Sequence, residues 1–449
     1  MLAAMVMVSL FFLGCGGGRS TPSVHNEWTW MNGANVANQP GIYGTLGTAA
    51  LSNVPGARML AVSQIDASGN FWLFGGNGFD STGNGGDLDD LWKYSAGEWT
   101  WVNGSNIRNQ PPTFGTLGVA ASGNVPGARN SAASWIDASG SLWLFGGNVN
   151  DIGLINDLWE YSAGEWTWVG GSNVGDQPGT YGSQGTAAPG NVPGARQVAV
   201  SWTDASGNFW LFGGSGYDSI GAQGSLNDLW KYSAGEWTWM GGSNVVNNQG
   251  TYGTQGTAAA SNIPGARNSG VGWIDASGNL WLFGGLGYDS MGTEDNLNDL
   301  WKYSVSTGEW TWVGGSNMGG QSGTYGTQGT ASPNNVPGAR YGAISWIDAS
   351  GNFWLFCGSS YNPDTGTGGW FNDLWKYSAS EWTWMGGSNA VNQPGTYGNE
   401  GTAAPSNIPG ARYGAAGWAD TSGNLWLLGG YDSDLTGEGY FNDLWKYEP

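Results

Sequence analysis

The stretch PGARNSGVGWIDASGNLWLFGG (residues 264–285), followed by NDLWKY (298–303) and EWTWV (309–313), decides the fold of this chain. Its short sequence motifs, which we call words, recur in the same order in near-copies of about 70 residues. We number these copies units one to six, each beginning at its PGAR. A fixed period of this length is typical of a solenoid or propeller, because one unit cannot bury its own apolar face. The word EWTW begins at Glu27, Glu98, Glu165, Glu236, Glu309 and Glu381.

Each unit predicts four short strands. In unit four these are residues 267–275, 280–285, 298–303 and 309–313. The runs are rich in Trp, Phe, Tyr, Leu and Val and are bounded by Gly, Asn, Asp and Pro, as strands and turns require. The word DASGN between the first two strands tolerates tight-turn dihedral angles and predicts a hairpin. No segment has a sustained 3.6-residue apolar period, so the predicted fold class is all-β.

The two ends of the chain predict how the units assemble. Four strands per unit and six units predict a six-bladed β-propeller with four-stranded blades. The chain begins with an isolated EWTW at Glu27, and its last unit ends at Tyr447 without a fourth strand. We expect the N-terminal strand to join the C-terminal blade and close the ring, which removes two exposed sheet edges.

The repeated words also carry a family resemblance. A glycine doublet ends the second strand, and a Trp and a Tyr in LWKY and a further Trp in EWTW follow it. On these motifs residues 27–447 resemble the Kelch family of β-propellers, although the Trp precedes the Tyr and the units exceed the usual length of about 50 residues. The resemblance implies the propeller fold and leaves the function open, because propellers include binding modules and enzymes. The doublets are Gly75-Gly76, Gly146-Gly147, Gly213-Gly214, Gly284-Gly285, Cys357-Gly358 and Gly429-Gly430.

Composition assigns most of the conspicuous side chains to the repeat. Of 30 Trp residues, only Trp370 falls outside a repeated position, so packing between blades is the simplest interpretation of the other 29, with a sugar-stacking platform as the alternative. Of 13 basic residues, 11 belong to PGAR and LWKY, and the formal net charge is -21. Such a chain repels a phosphate backbone, so we expect no nucleic-acid partner.

Acidic residues outside the repeated words lie mainly between strands two and three. A solvated acidic rim is the simpler interpretation, and we expect no cofactor. Calcium is the alternative, because hard cations take carboxylate oxygens, although no DxDxDG-type spacing is present. The residues are Asp80, Asp87, Asp151, Asp218, Asp289, Glu294, Asp295, Asp364, Asp432, Asp434 and Glu438.

The PGAR arginines form the first part of a candidate ligand face. Each opens an innermost strand on the face that bears the longer connections, and by resemblance to some Kelch propellers they could contact acidic ligands. The alternative is that each pairs with the Asp of its own NDLW word, because both words recur in every unit. The arginines are Arg58, Arg129, Arg196, Arg267, Arg340 and Arg412.

A ligand site should also break the sixfold symmetry. The connection between strands two and three varies from 8 to 13 residues, whereas the neighbouring segments keep constant lengths. Binding residues concentrate on such loops when the scaffold is rigid. The candidates that depart from the repeat are Trp370, Phe371, Tyr440, Phe441 and the shortened loop at 148–155.

Catalysis has little support in the sequence. The single histidine, His25, precedes the first strand, so the propeller lacks the residues of a Ser-His-Asp triad or a multi-histidine metal site. Galactose oxidase also has Kelch-like blades, but its copper chemistry requires histidine ligands and a Tyr-Cys cross-link, so we reject that activity. A sugar hydrolase or mutarotase that uses carboxylates and Arg stays an alternative.

The N-terminus resembles an export signal. Residues 1–15 form an apolar run that ends in Gly14-Cys15 and resemble a bacterial lipoprotein lipobox, in which Cys15 is lipidated. A plain cleaved secretory signal is the alternative, and the run is too short for a transmembrane span. Residues 16–26 would be a tether and 27–449 the propeller. Cys15 and Cys357 leave no plausible disulfide within the propeller.

Together these features predict an exported, membrane-anchored or secreted Kelch-like propeller in the bacterial cell envelope. We expect a monomeric, noncatalytic module that recognises a protein or a glycan. A carbohydrate-active enzyme on the same scaffold and an architectural envelope protein are the alternatives.

Overall fold

The structure is a computed structural model and describes residues 26–360, 368–434 and 437–449. Every regular element in that part of the chain is a β-strand, which confirms the all-β prediction. None of the described segments forms a helix that is long and apolar enough to cross a membrane. Cys15, His25 and Asp364 lie outside the described residues.

The strands follow the repeated words. The N-terminal strand is β1 (Glu27–Asn32). Unit one contains β2 (Arg58–Met59), β3 (Val62–Ile65), β4 (Phe71–Phe74), β5 (Asn77–Phe79), β6 (Gly85–Asp87), β7 (Leu91–Ser95) and β8 (Glu98–Asn103). Unit two contains β9 (Arg129–Asn130), β10 (Ala133–Ile136), β11 (Leu142–Val149), β12 (Gly153–Ser162) and β13 (Glu165–Gly170). Unit three contains β14 (Arg196–Gln197), β15 (Val200–Thr203), β16 (Phe209–Tyr217), β17 (Gln223–Ser233) and β18 (Glu236–Gly241).

The remaining units repeat this order. Unit four contains β19 (Arg267–Asn268), β20 (Val271–Ile274), β21 (Leu280–Tyr288), β22 (Glu294–Ser304) and β23 (Glu309–Gly314). Unit five contains β24 (Ile344–Ile347), β25 (Phe353–Phe356), β26 (Leu374–Ser378) and β27 (Glu381–Gly386). Unit six contains β28 (Arg412–Tyr413), β29 (Ala416–Ala419), β30 (Leu425–Asp434) and β31 (Gly437–Glu448).

Each unit forms its own antiparallel sheet. In unit four, β19 and β20 both pair with β21, which pairs with β22, which pairs with β23. The predicted first strand is therefore divided into two short pieces. In unit one the same ladder is divided between a four-stranded sheet and the three-stranded sheet of β2, β5 and β6. Antiparallel sheets of this size, arranged in repeats, fit a β-propeller.

The two chain ends meet in one sheet. Strand β1 pairs antiparallel with β31, and Trp28 lies opposite Tyr447. Trp28 is 4% exposed, and its ring lies 5.1 Å from the rings of Phe356 and Tyr447. The N-terminal strand is therefore the outer strand of the sheet of unit six.

The apolar cores lie between the sheets of neighbouring units. In one of them, Trp202 and Phe212 of unit three pack with Leu282 and Trp301 of unit four. The Trp of LWKY is completely buried in every unit, which accords with the packing role that the sequence indicates. The six residues are Trp92, Trp159, Trp230, Trp301, Trp375 and Trp445.

A bulge at the glycine doublet changes the pairing register within a sheet. In unit four, Phe283 lies opposite Leu300 but Gly285 lies opposite Leu297, so β22 has one residue more than β21 between the two pairs. The first glycine has φ +62°, and a Cβ on it would lie 2.9 Å from the carbonyl oxygen of Arg340. Glycine suits this position because it takes the left-handed conformation without a steric cost.

Candidate functional site

The PGAR arginines and the NDLW aspartates form buried ion pairs, which we call the Arg-Asp frame. In unit four, Arg267 donates from Nη1 and Nη2 to the two carboxylate oxygens of Asp299 at 2.6 and 2.8 Å. Its Nε and Nη1 also donate to the carbonyl oxygens of Gly265 and Gly284. The pairs are Arg58 with Asp90, Arg129 with Asp157, Arg196 with Asp228, Arg267 with Asp299, Arg340 with Asp373, and Arg412 with Asp443.

Other groups of the repeat complete the frame. Oδ2 of Asp299 also accepts hydrogen bonds from Trp301 Nε1 and Tyr252 Oη, both at 2.7 Å. Burial, together with the charge of Asp299, raises the pKa of Tyr252 far above its ordinary value. The tyrosine therefore stays neutral and donates a hydrogen bond, and both carboxylate oxygens of Asp299 accept their hydrogen bonds from groups within the protein.

The frame removes the arginines from the candidate ligand face. Their side chains are at most 2% exposed and are held by ion pairs. The structure therefore contains the alternative that the sequence left open, in which each PGAR Arg pairs with the Asp of its own NDLW motif. Two of the symmetry-breaking aromatics belong to the frame as well. Phe371 and Phe441 are buried, and their rings cover the guanidinium groups of Arg340 and Arg412 at 4.1 and 5.5 Å.

A second set of positions varies from unit to unit. Three residues of each unit lie directly opposite one another across the strands: the residue after the PGAR Arg, the residue after the doublet, and the residue two before NDLW. Directly opposed residues of antiparallel strands point to the same side. We call each set a triplet; in order, the triplets are Met59, Asn77, Asp87; Asn130, Asn148, Leu154; Gln197, Ser215, Ser225; Asn268, Leu286, Asn296; Tyr341, Ser359, Trp370; and Tyr413, Tyr431, Tyr440.

Units five and six supply the aromatic triplet residues, which we call the aromatic sector: Tyr341, Trp370, Tyr413, Tyr431 and Tyr440. The Trp370 ring is nearly parallel to that of Tyr413, with centroids 6.2 Å apart and an interplanar angle of 19°. Trp370 and Tyr431 meet edge to face at 5.6 Å, as do Tyr431 and Tyr440 at 5.3 Å. Tyr341 contacts Tyr413 at 6.0 Å. All five side chains are half-buried, so they form one continuous and accessible aromatic surface.

Units one to four supply the other triplets, which we call the polar sector because most of their members carry amide or hydroxyl groups. Asp87 Oδ1 accepts hydrogen bonds from the Nδ2 atoms of Asn77 and Asn130 at 2.7 and 2.9 Å. Asn77 Oδ1 accepts from Tyr440 Oη at 2.8 Å, which joins the two sectors. The side-chain amides of Asn148 and Gln197 make no hydrogen bond with any described residue of the chain, so their donors and acceptors are available.

A cycle of main-chain hydrogen bonds lies next to the triplets. One residue of each unit, the residue after the first triplet member, donates its N–H to the carbonyl oxygen of the equivalent residue in the preceding unit, at 2.7 to 2.9 Å. The bond from the N–H of Leu60 in unit one to the carbonyl of Gly414 in unit six completes the cycle. These residues have φ between +49° and +66°, a conformation that costs about 1–3 kcal/mol for residues other than glycine. We call them the belt: Leu60, Ser131, Val198, Ser269, Gly342 and Gly414.

Along the chain the belt lies between the first triplet residues and the innermost strands. The triplets lie next to the belt on one side, and we call the surface that they form the cup. On the other side a cavity of about 400 Å³ is lined by the innermost strands of all six units, including Ser63, Ser201 and Ser345.

The structure places two of the residues that the sequence singled out, Trp370 and Tyr440, among the triplets. Tyr341, Tyr413 and Tyr431 lie beside them and were missed. Two of these follow PGAR directly, where other units have Met, Asn or Gln, so aligning the letter after each PGAR could have found them. The shortened loop of unit two contributes Asn148 and Leu154 to its triplet.

Metal and thiol chemistry have no evident site in the part of the chain that the structure describes. No group of three His, Cys, Asp or Glu side chains among those residues could hold a metal ion. Cys357 is a free, buried thiol, and burial raises its pKa to about 12, which keeps it un-ionised and unreactive at neutral pH.

Comparison with known proteins supports the fold alone. No family model and no curated protein matches the sequence. A solved structure described as "Structure of YjhT" matches with a TM-score of 0.51 and 13% sequence identity, over 88% of this chain and 96% of that chain. This protein is therefore similar to YjhT in its β-propeller-like fold.

Proposed function

We propose that this protein is a noncatalytic recognition module, built as a six-bladed propeller that its N-terminal strand closes. Three observations support closure and the blade count. The belt is a continuous cycle through six units, β1 pairs with β31, and Trp418 of unit six donates its Nε1–H to the carbonyl of Trp72 in unit one at 3.3 Å. Closure would hold the six units in fixed positions around the cup, and a rigid scaffold of this kind can hold a binding surface in place.

The aromatic sector is the observation that carries the proposed function. Five of the six triplet positions in units five and six are aromatic, whereas the triplets of the other four units are mainly polar and the buried frame around them is repeated. Packing alone does not require this difference, because units with either kind of triplet form antiparallel sheets with the same strand order. Half-exposed aromatic side chains are enriched at binding surfaces because they provide a large contact area at a low entropy cost.

The carboxylates favour binding over hydrolysis. A glycosidase that uses two carboxylates needs them about 5–10 Å apart across the scissile bond. Asp87 is the one carboxylate among the triplets, and it is buried and accepts hydrogen bonds from two amides. A carbohydrate-active enzyme on this scaffold would have to take its second carboxylate from outside the triplets.

Export and lipid anchoring at Cys15 complete the proposal and are tested separately. Cells that produce the protein are grown with radiolabelled palmitate. We expect the label on the wild-type protein and none on Cys15→Ser; equal labelling of the two would contradict the anchor.

The recognition function is tested with the purified protein and envelopes of the cells that produce it. We expect saturable binding that is lost in the double variant Trp370→Asn with Tyr413→Asn. Asn occurs naturally at both positions in unit four, as Asn296 and Asn268, so these substitutions suit the scaffold. Unchanged binding of the double variant would contradict the proposed function.

A further inference from the structure

We propose that the ligand of the cup is an uncharged carbohydrate, which packs a sugar ring on the aromatic sector and directs hydroxyl groups to the polar sector. This inference rests on the proposed function and adds the chemical class of the ligand. The geometry of the rings, the chemistry of the amides and the lack of cationic side chains among the triplets support it independently.

The aromatic sector is a wall and not a cage. Its rings contact one another at centroid distances of 5.3 to 6.2 Å, which leaves no space between them for a further group. A cage for a quaternary ammonium ion would need rings that surround an empty volume. The rings of the aromatic sector instead offer a continuous apolar surface, with the nearly parallel rings of Trp370 and Tyr413 at its centre, on which the C–H face of a pyranose ring can pack.

The polar sector offers the groups that hydroxyls need. A carboxamide carries both donors and an acceptor, and a sugar hydroxyl also donates and accepts, so the two are complementary. Asn148 and Gln197 are half-buried and have no partner among the described residues. Their amides can therefore bind hydroxyls without first breaking bonds within the protein.

The charges among the triplets and of the whole chain disfavour an anionic ligand. The triplets contain no Lys or Arg, and the nearby PGAR arginines are buried in the Arg-Asp frame. A carboxylate or phosphate in the cup would find no cationic partner among the triplets and would meet the field of a protein with a net charge of -21. Acidic sugars and phosphorylated ligands are therefore disfavoured.

The belt limits how a polymer can bind. Each belt residue is hydrogen-bonded to the belt residues of the neighbouring units, so the main chain encircles and narrows the centre beside the cup. We infer that the cup binds the end of a glycan chain or a few sugar units on its surface.

The test is calorimetric titration of the purified protein with cellohexaose, xylohexaose, mannohexaose and maltohexaose. Trigalacturonic acid and choline serve as an anionic and a cationic probe. We expect saturable binding of at least one neutral hexasaccharide and of neither charged probe. Trp370→Asn and Tyr413→Asn should each weaken that binding at least about tenfold, and Gln197→Ala about two- to fivefold.

A matched control separates the cup from the rest of the same face. Ile220 is 79% exposed in the connection between strands two and three of unit three. We expect Ile220→Ser to leave sugar binding unchanged, and near-ultraviolet circular dichroism should show each variant folded. Tyr413→Phe should retain most of the affinity if the ring face, rather than the hydroxyl, contacts the sugar.

Three outcomes would overturn the inference: no neutral hexasaccharide binds, a charged probe binds instead, or the aromatic variants bind sugar as the wild type does. If no sugar binds but envelope binding is still lost in the double variant, recognition stands and the ligand class is wrong. If envelope binding is also unchanged, the proposed function fails as well.

Discussion

The Arg-Asp frame and the triplets lie one residue apart in the sequence, yet they behave in opposite ways. Arg267 belongs to the frame and recurs in all six units, whereas its neighbour Asn268 is Met, Asn, Gln or Tyr elsewhere. The arginine is buried and ion-paired, and the side chain after it faces the cup. On the proposed function, stability and recognition are thus assigned to successive residues of the same short strand.

The difference follows from the pleat of the strand. Successive side chains point to opposite sides, so one residue enters the core and the next enters the cup. A buried ion pair tolerates no change of either partner, because an unpaired charge would remain in the interior. A half-exposed position tolerates many residues, and we expect substitutions in the two regions to separate folding from binding.

The largest expected effect is the loss of a frame arginine. Arg267→Met leaves Asp299 buried without its partner, and we expect a loss of about 3–5 kcal/mol in the free energy of unfolding, measured by urea denaturation. The control Arg108→Met replaces a half-buried arginine outside the frame and should change the free energy of unfolding by less than about 1 kcal/mol. Equal losses would show that the frame has no special role in stability.

Removal of Trp28 tests whether the N-terminal strand belongs to the stable part of the molecule. The ring is buried against unit five and unit six, so Trp28→Ala should cost about 3–5 kcal/mol. The control Val36→Ala, at a side chain that is 44% exposed, should cost less than about 1 kcal/mol. A small effect of Trp28→Ala would mean that the sheet of unit six is stable without β1, and would weaken the proposed closure.

A buried carboxyl group beside the frame in unit one should make the stability of the protein depend on pH. Asp89 stands where the other units have Asn; Asn227, for example, donates to Pro264 and accepts from Ser243. Burial raises the pKa of the Asp89 carboxyl to about 7, with a smaller contribution from the charge of Asp90, while the N–H of Ser105 opposes the shift.

The sign of this effect is fixed by proton binding. Between pH 4 and pH 7 the folded state holds a proton on Asp89 that the unfolded state has released, so stability falls as the pH rises, by up to about 1.4 kcal/mol per pH unit. Below pH 4 its contribution is fully present. Asp89→Asn should remove that slope and stabilise the protein at pH 8; a slope unchanged in the variant would contradict the assignment.

The smallest expected effect on folding is in the cup. Tyr413→Asn should lower the free energy of unfolding by less than about 1.5 kcal/mol, because the ring is half-exposed and Asn occupies the matching position in units two and four. Thermal denaturation of Tyr413→Asn and of Arg267→Met under the same conditions compares the loss of stability in the two variants. A loss as large as that of the frame variant would mean that the aromatic sector is structural.

The sequence predicted the fold because each repeated word is locally consistent with its strand or turn, and the turn word DASGN does form hairpins. In unit four the N–H of Asp275 bonds to the carbonyl of Asn279 at 3.0 Å. It also predicted the strands' order and placed Trp370 and Tyr440 among the residues that break the symmetry.

The composition of the cup could not be predicted in the same way. Which residues face one another across three strands depends on the register, and the bulge at the doublet shifts that register by one residue. The belt, which interrupts the first strand of each unit, also could not be predicted from one repeat. Residues such as Val198 take a positive φ where the neighbouring units supply hydrogen bonds. Both features depend on contacts between units, which no single repeat contains.

The most direct test of the separation between frame and cup is an exchange of triplets. The triplet of unit six is replaced by that of unit four, with Tyr413→Asn, Tyr431→Leu and Tyr440→Asn, and both the free energy of unfolding and the binding to envelopes are measured. We predict a variant that stays within about 2 kcal/mol of the wild type in stability and has lost saturable binding. A variant that binds as the wild type does, or that fails to fold, would contradict the account.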